Sequence, residues 1–281
     1  MKRNIQLIIL SALLIFFTQC RKNEAQPEPE PAPVNPSNPT DGMLKLGEVY
    51  MQNANAKAVL YTPKDLVTGY NTIYAAIYDS SNGSKLLNGH FEVLPSMNMG
   101  SGMSHGCPFE NYEDSVPDNG LFSCAVVFSM EGNAQQWNLD FGFHNHQNEK
   151  FGNGKLGVNV LASSPSRLIK TVLSSDSNST VMIALLQPGS AKVGINDLEL
   201  VMYKKKDDFS YLPVTDYNIE IEPNMPSMGH GSPNNVNPVH SENGHYKGKV
   251  NFTMTGLWQI KLKLYRNGTL ISSDQYFEIT L

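Results

Sequence analysis

The 281-residue chain repeats itself over much of its length. The run "GYNTIYAAIYDSSNGSKLLNGHFEVLPSM" beginning at Gly69 resembles "GINDLELVMYKKKDDFSYLPVTDYNIEIEPNM" beginning at Gly194. "MSHGCP" at 103–108 matches "MGHGSP" at 228–233, and "NGLFSCAVVFSMEG" at 119–132 matches "NGHYKGKVNFTMTG" at 243–256. Measured at Gly69 and Gly194, His105 and His230, Gly120 and Gly244, and Met130 and Met254, the separation is constant to within one residue. This period is far longer than that of any solenoid repeat. Each copy of the duplication is therefore expected to be a domain with its own core.

Each copy reads as β structure. In the first, "YNTIYAAIYD", "HFEVLP", "FSCAVVFSM" and "WNLDFGF" are short runs rich in β-branched and aromatic residues, bounded by Asn-Gly and Pro turns. The second gives "DLELVMYKK", "YNIEIEP", "YKGKVNFTM" and "WQIKLKLY", then "LISSDQYFEIT" after the hairpin signal Arg266-Asn267-Gly268. In "WQIKLKLY", Trp258, Ile260, Leu262 and Leu264 share one face, and Gln259, Lys261, Lys263 and Tyr265 the other. The pattern predicts an all-β chain with two tandem immunoglobulin-like β-sandwich domains, at 44–165 and 166–281. The same alternation makes Met130 and Met254 core residues. It turns His144 and His146 toward solvent near a strand end, although two such histidines can also share a metal.

Ahead of the repeats, Lys2 and Arg3 precede an apolar run from Ile5 to Phe17, too short to span a bilayer comfortably, and Cys20 follows. Residues 1–20 read as an export signal, and the position of Cys20 resembles a bacterial lipoprotein processing site at which Cys20 is lipidated. "FFTQC" departs from that pattern in lacking a small residue before the cysteine, and plain signal cleavage or an uncleaved anchor is the alternative. Residues 21–43, rich in Pro, Glu and Asn, read as an extended tether. The expected location is the bacterial cell envelope, with the lipid anchor holding the protein to a membrane and the domains facing the periplasm or the cell surface. A formal net charge of −5 without a basic stripe argues against nucleic acid as a partner.

Both copies carry a turn-rich loop of methionine and histidine. "PNMPSMGHGSP" at 223–233 holds Met225, Met228 and His230; "PSMNMGSGMSHGCP" at 95–108 holds Met97, Met99 and Met103 ahead of His105. Thioethers are soft ligands that suit Cu(I) and hold Zn(II) or Mg(II) poorly, while imidazole suits copper in either oxidation state. The competing reading is that the methionines plug the end of the sandwich, since methionine fills irregular gaps well. Retention of Met-x-His in both loops favours a metal. The principal donors are then Met225, Met228 and His230, with Met99, Met103 and His105 as a second site; His240 and His245 flank the second loop.

The segment from about Gly194 to Leu281 resembles a YtkA-like (FixH-like) domain. The resemblance rests on Met225, Pro226, Met228, Gly229, His230 and Gly231, then Gly244 and Tyr246, then Met254, Gly256 and Trp258. The first copy departs from the pattern, with a longer loop and no Met-Pro step. The resemblance implies a small extracytoplasmic β-sandwich associated with copper handling.

Cys107 and Cys124 occur only in the first copy, where the second has Ser232 and Gly248. In an oxidising compartment such a pair is expected to form a disulfide, stapling the loop to the sheet; the alternative makes Cys107 a thiolate ligand beside Met103 and His105. No Gly-x-Ser-x-Gly elbow, His-Glu-x-x-His or phosphate-cradling loop is present, so no enzyme is expected. The leading expectation is an anchored protein that binds copper, Cu(I) favoured, for storage, delivery or tolerance, with a copper-delivery protein as a possible partner. The alternative is a surface module that binds protein or glycan without metal.

Overall fold

The alternating runs form antiparallel sheets, two to each copy. The computed structural model describes residues 38–112, 119–173 and 179–281; the expected export signal, Cys20 and the expected tether up to residue 37 lie outside them. In the first copy the strands are β1 (Leu44–Met51), β2 (Ala56–Thr62), β3 (Gly69–Asp79), β4 (Gly89–Gly100), β5 (Met103–His105), β6 (Phe109–Asn111), β7 (Phe122–Phe128), β8 (Trp137–Asn145) and β9 (Lys150–Gly157). The sheets have the orders β1-β2-β3-β7-β6 and β5-β4-β8-β9. In the second copy they are β10 (Leu168–Leu173), β11 (Ser179–Gln187), β12 (Gly194–Lys205), β13 (Tyr211–Pro213), β14 (Tyr217–Met225), β15 (His230–Gly231), β16 (Val236–His240), β17 (His245–Phe252), β18 (Leu257–Arg266) and β19 (Thr269–Thr280). Their sheets run β10-β11-β12-β17-β16 and β15-β14-β18-β19, with β13 added beside β12. Apart from β13, the two strand orders are the same, and the chain is all-β with two immunoglobulin-like sandwiches.

Identical local devices hold the two copies. The buried Asn71 accepts from Val67 N and donates to the carbonyls of Val67 and Gly69; Asn196 does the same with Lys192 N and the carbonyls of Lys192 and Gly194. Each asparagine satisfies backbone groups of the loop leading into its strand; in the first copy Leu161 bridges the same loop as well. Trp137 and Trp258 are fully buried, and each donates its indole N–H across 3.0 Å to a carbonyl, of Met130 and Met254 respectively. One difference is Tyr246, whose hydroxyl donates to Val214 O and accepts from Tyr217 N, where the first copy has Phe122.

Strand β11 carries no alternation signal. In β11 the run from Val181 to Leu185 is buried residue after residue, because the strand has the second core on one side and the first sandwich on the other. That seam has its own apolar cluster of Val127 from β7 with Ala184, Val201 and Tyr203 from β11 and β12. Met254 departs from the sequence expectation. Strand β17 ends at Phe252, so the alternation stops short of Met254 and its side chain is exposed, whereas Met130 is half-buried against the core.

Candidate metal centre

In the first sandwich Met97 pairs across β4 with Trp137 on β8 and with His105 on β5. Residues directly opposite in antiparallel strands share a face, so Trp137, Met97 and His105 form one row. The row lies on the inner face: Met97 is 2% exposed and Trp137 fully buried. The His105 ring meets the indole edge-on at 5.9 Å. The second sandwich builds the same row. Met225 pairs with His230, the β14–β18 register sets Met225 beside Trp258, and His230 meets that indole edge-on at 5.8 Å.

A glycine seats each methionine. A Cβ at Gly132 would lie 2.9 Å from the Met97 Cε, and one at Gly256 would lie 2.6 Å from the Met225 Cε. This explains the repeated Met-x-Gly of "SMEG" and "TMTG": the glycine makes room for the thioether of the row, while the preceding methionine supplies the carbonyl that the indole bonds.

The tautomer of His105 follows from its neighbours. Its Nδ1 lies 2.8 Å from Gly106 O. A carbonyl can only accept, so Nδ1 carries the hydrogen and Nε2 the lone pair. That Nε2 is buried and has no hydrogen-bond partner among the described residues. Leaving a buried acceptor unpaired costs about 1–3 kcal/mol. One ring N–H given to a backbone carbonyl with the other nitrogen free is the arrangement of a metal-binding histidine.

The predicted donors divide into two groups. Met225 belongs to the core at 3% exposure, His230 is half-buried, and Met228 is 62% exposed on the turn. That turn is closed by hydrogen bonds from Met228 N and Gly229 N to Met225 O, with Gly229 at φ +65°. In the first loop Met103 is 63% exposed and Met99 is exposed as well. The inner counterpart of Met225 is Met97, which the predicted donor set omitted. The longer hairpin hides the equivalence, because aligning the copies on histidine sets Met103 against Met228 and leaves the inner methionine out of step. Of the flanking histidines, His240 packs edge-on against Tyr246 and His245 turns into the seam between the sandwiches.

The expected Cys107–Cys124 disulfide is not formed; both are free, buried thiols. Cys124 pairs with Asn111, whereas Pro108 O accepts from Val127 N and so places Cys107 beside Phe128, toward the far end of β7. At about 3.4 Å per residue that separation is well beyond the roughly 7 Å Cα limit for a bridge. Burial raises both thiols above the ordinary cysteine range, which also argues against a thiolate ligand at Cys107.

His144 and His146 gather with His90, the ring centroids of His90 and His144 lying 4.6 Å and 4.9 Å from that of His146. His146 Nδ1 is paired with Asn88 Oδ1, and His144 Nε2 lies 3.6 Å from Glu149. Among the described residues no group of three or more His, Cys, Asp or Glu side chains is placed to hold a metal ion. The two rows are where a thioether and an imidazole meet.

Residues 176–263 match the family model described as YtkA-like. The second sandwich carries a YtkA-like domain. The matched span contains Met225, His230 and Trp258, so the row lies within the YtkA-like domain, and it ends before β19. No curated protein matches the chain. Among solved structures, the Escherichia coli adhesin FdeC is 14% identical over 82% of this chain and 65% of its own, with a TM-score of 0.26. InvD of Yersinia pseudotuberculosis is 14% identical over 82% of this chain and 58% of its own, with a TM-score of 0.25. A conserved domain protein from Bacillus anthracis is 9% identical over 87% of this chain and 93% of its own, with a TM-score of 0.33. The chain thus spans less than two thirds of FdeC and of InvD, and likenesses this distant carry no argument about function.

Proposed function

We propose that the protein binds copper, as Cu(I), at the Met–His–Trp row of each sandwich, and that it stores, delivers or buffers copper at the cell envelope from a lipid anchor at Cys20. The observation that carries the reading is the buried, unpartnered lone pair of His105 Nε2 in one row with the thioether of Met97. In the first sandwich these two groups would hold the ion, with Met99 or Met103 closing from the hairpin; in the second, Met225 and His230 would do so, with Met228 closing from the turn. All the sulfurs are neutral and soft, which suits Cu(I) and disfavours Zn(II) and Mg(II). The neighbouring indole adds an aromatic surface that attracts a cation. Copper here is cargo, and the chain supplies no reaction upon it. The YtkA-like domain points the same way, because the resemblance associates such domains with copper handling.

The two tryptophans of the chain are the two in the rows, so their fluorescence reports on both places. Adding Cu(I) under reducing conditions should quench most of the emission, and Zn(II) at the same concentration should leave it. The double variants Met97→Leu/His105→Ala and Met225→Leu/His230→Ala should each keep the quenching of the other row. Emission indifferent to Cu(I) contradicts the proposal.

A further inference from the structure

The two sandwiches meet at a histidine held between carboxylates. His245 Nε2 lies 2.8 Å from Glu110 Oε1 of the first sandwich, and His245 Nδ1 lies 2.9 Å from Glu199 Oε1 of the second. Ionised carboxylates only accept, so both ring nitrogens must donate and the ring must be imidazolium. A neutral ring has one N–H and would turn a lone pair on one of the carboxylates.

The other groups around the ring fit this charge state. Tyr70 from β3 donates to Glu110 Oε2 at 2.7 Å and meets the His245 ring edge-on, and Tyr203 from β12 donates to Glu110 Oε1. The Tyr112 hydroxyl is 3.4 Å from the same Glu110 carboxylate. Lys247 lies 3.7 Å from Glu199 and 3.9 Å from Glu242. Burial disfavours the charge on His245, but Glu110 and then Glu199 outweigh it and raise the imidazole above its ordinary value. Burial likewise pushes Glu110 up, yet the hydrogen bonds from His245, Tyr203 and Tyr70 bring it below the ordinary carboxylate value.

Glu110 stands on the same short segment as His105. Between them, Gly106 N donates to Asp208 O at 2.8 Å, and Gly106 O accepts from Tyr211 OH at 3.4 Å as well as from His105 Nδ1. A Cβ on Gly106 would come within 3.3 Å of the Phe209 Cα. The carbonyl that sets the His105 tautomer is therefore itself fixed by the second sandwich.

We infer that the second sandwich controls the metal row of the first: the Glu110–His245–Glu199 clasp keeps residues 106–111 docked, and docking holds Gly106 O where it leaves His105 Nε2 free to bind an ion. The last clause rests on the function proposed above; the clasp does not. Because the histidine is raised and Glu110 is lowered, docking is fully present between the ordinary carboxylate and the ordinary histidine values, and the histidine's share is lost as pH rises through its raised value. That weakening is on the alkaline side.

The test uses the full chain without metal, following hydrogen exchange at 103–111 and 206–211. Between about pH 6 and about pH 9, protection factors there should fall at least about tenfold while those of β18 stay level. His245→Gln should show weak protection at both. Glu199→Gln keeps the side-chain shape and offers an amide N–H to the neutral ring, so it should keep its protection at the higher pH. The Cu(I) affinity of the first row, measured in Met225→Leu/His230→Ala protein, should fall in parallel with protection. Protection that ignores both pH and His245→Gln overturns the clasp. Protection that falls while affinity does not overturns the coupling. A chain that binds no Cu(I) at any pH overturns the proposed function and the coupling with it, while the exchange pattern still decides the clasp.

Discussion

Met97 carries two roles, packing and ligation, that a single substitution can separate. Leucine nearly conserves its volume, so Met97→Leu should cost less than about 1.5 kcal/mol in stability. It removes the sulfur, and Cu(I) affinity of the first row should drop markedly with little change in Tm; Met103→Leu, on the exposed turn, should weaken binding less. Equal loss from both substitutions, read by competition with a chelator, would remove the distinction between inner and outer sulfurs. The cysteines give a second residue-scale prediction: denatured without reductant and alkylated, Cys107 and Cys124 should both be labelled, whereas a cross-linked peptide contradicts the register that separates them. Met225 and His230 were legible in the sequence because they flank a short, turn-rich loop. Met97 was not, because its register depends on the length of the β4–β5 hairpin, which spacing alone does not fix. The free Nε2 of His105 has no sequence signature at all, since it depends on where a neighbouring carbonyl points.

The loops before β3 and β12 share the same three asparagine hydrogen bonds, which predicts similar losses when either asparagine is removed. Asn71→Ala and Asn196→Ala should each cost about 1–3 kcal/mol, the penalty for leaving buried backbone groups unpaired. Thermal or chemical denaturation should find the two losses similar; a large loss from one and none from the other would show that the loops are not equivalent. The strands bearing these loops were readable because they alternate or sit between Gly and Asn turns, and the hairpin at Asn267-Gly268 was readable for the same reason. β11 was not, since a strand covered on both faces reads as a continuous apolar run that fits a buried helix equally well. The end of β17 was missed for a different reason: periodicity carries the eye to Met254, but the chain leaves the sheet after Phe252.

At the scale of the whole molecule, repetition foretold two sandwiches of one design but not the seam between them. The seam depends on residues that do not repeat: Glu110, Val127, His245 and the added β13 have no equivalent in the other copy. Its charged part makes joint stability pH-dependent. Replacing His245 by Phe should leave the half-buried Glu110 and Glu199 without their shared cation and lower stability most below the ordinary histidine value, with the difference from the parent shrinking as pH rises through the raised one. A constant deficit across that range would show that His245 contributes packing alone. The repeated rows also fix a stoichiometry. Titrating the reduced, full-chain protein with Cu(I) against a competing chelator should find two equivalents per chain, one of which disappears in Met97→Leu/His105→Ala and the other in Met225→Leu/His230→Ala. A chain that never competes with the chelator, or that binds copper equally well with both rows disabled, contradicts the account.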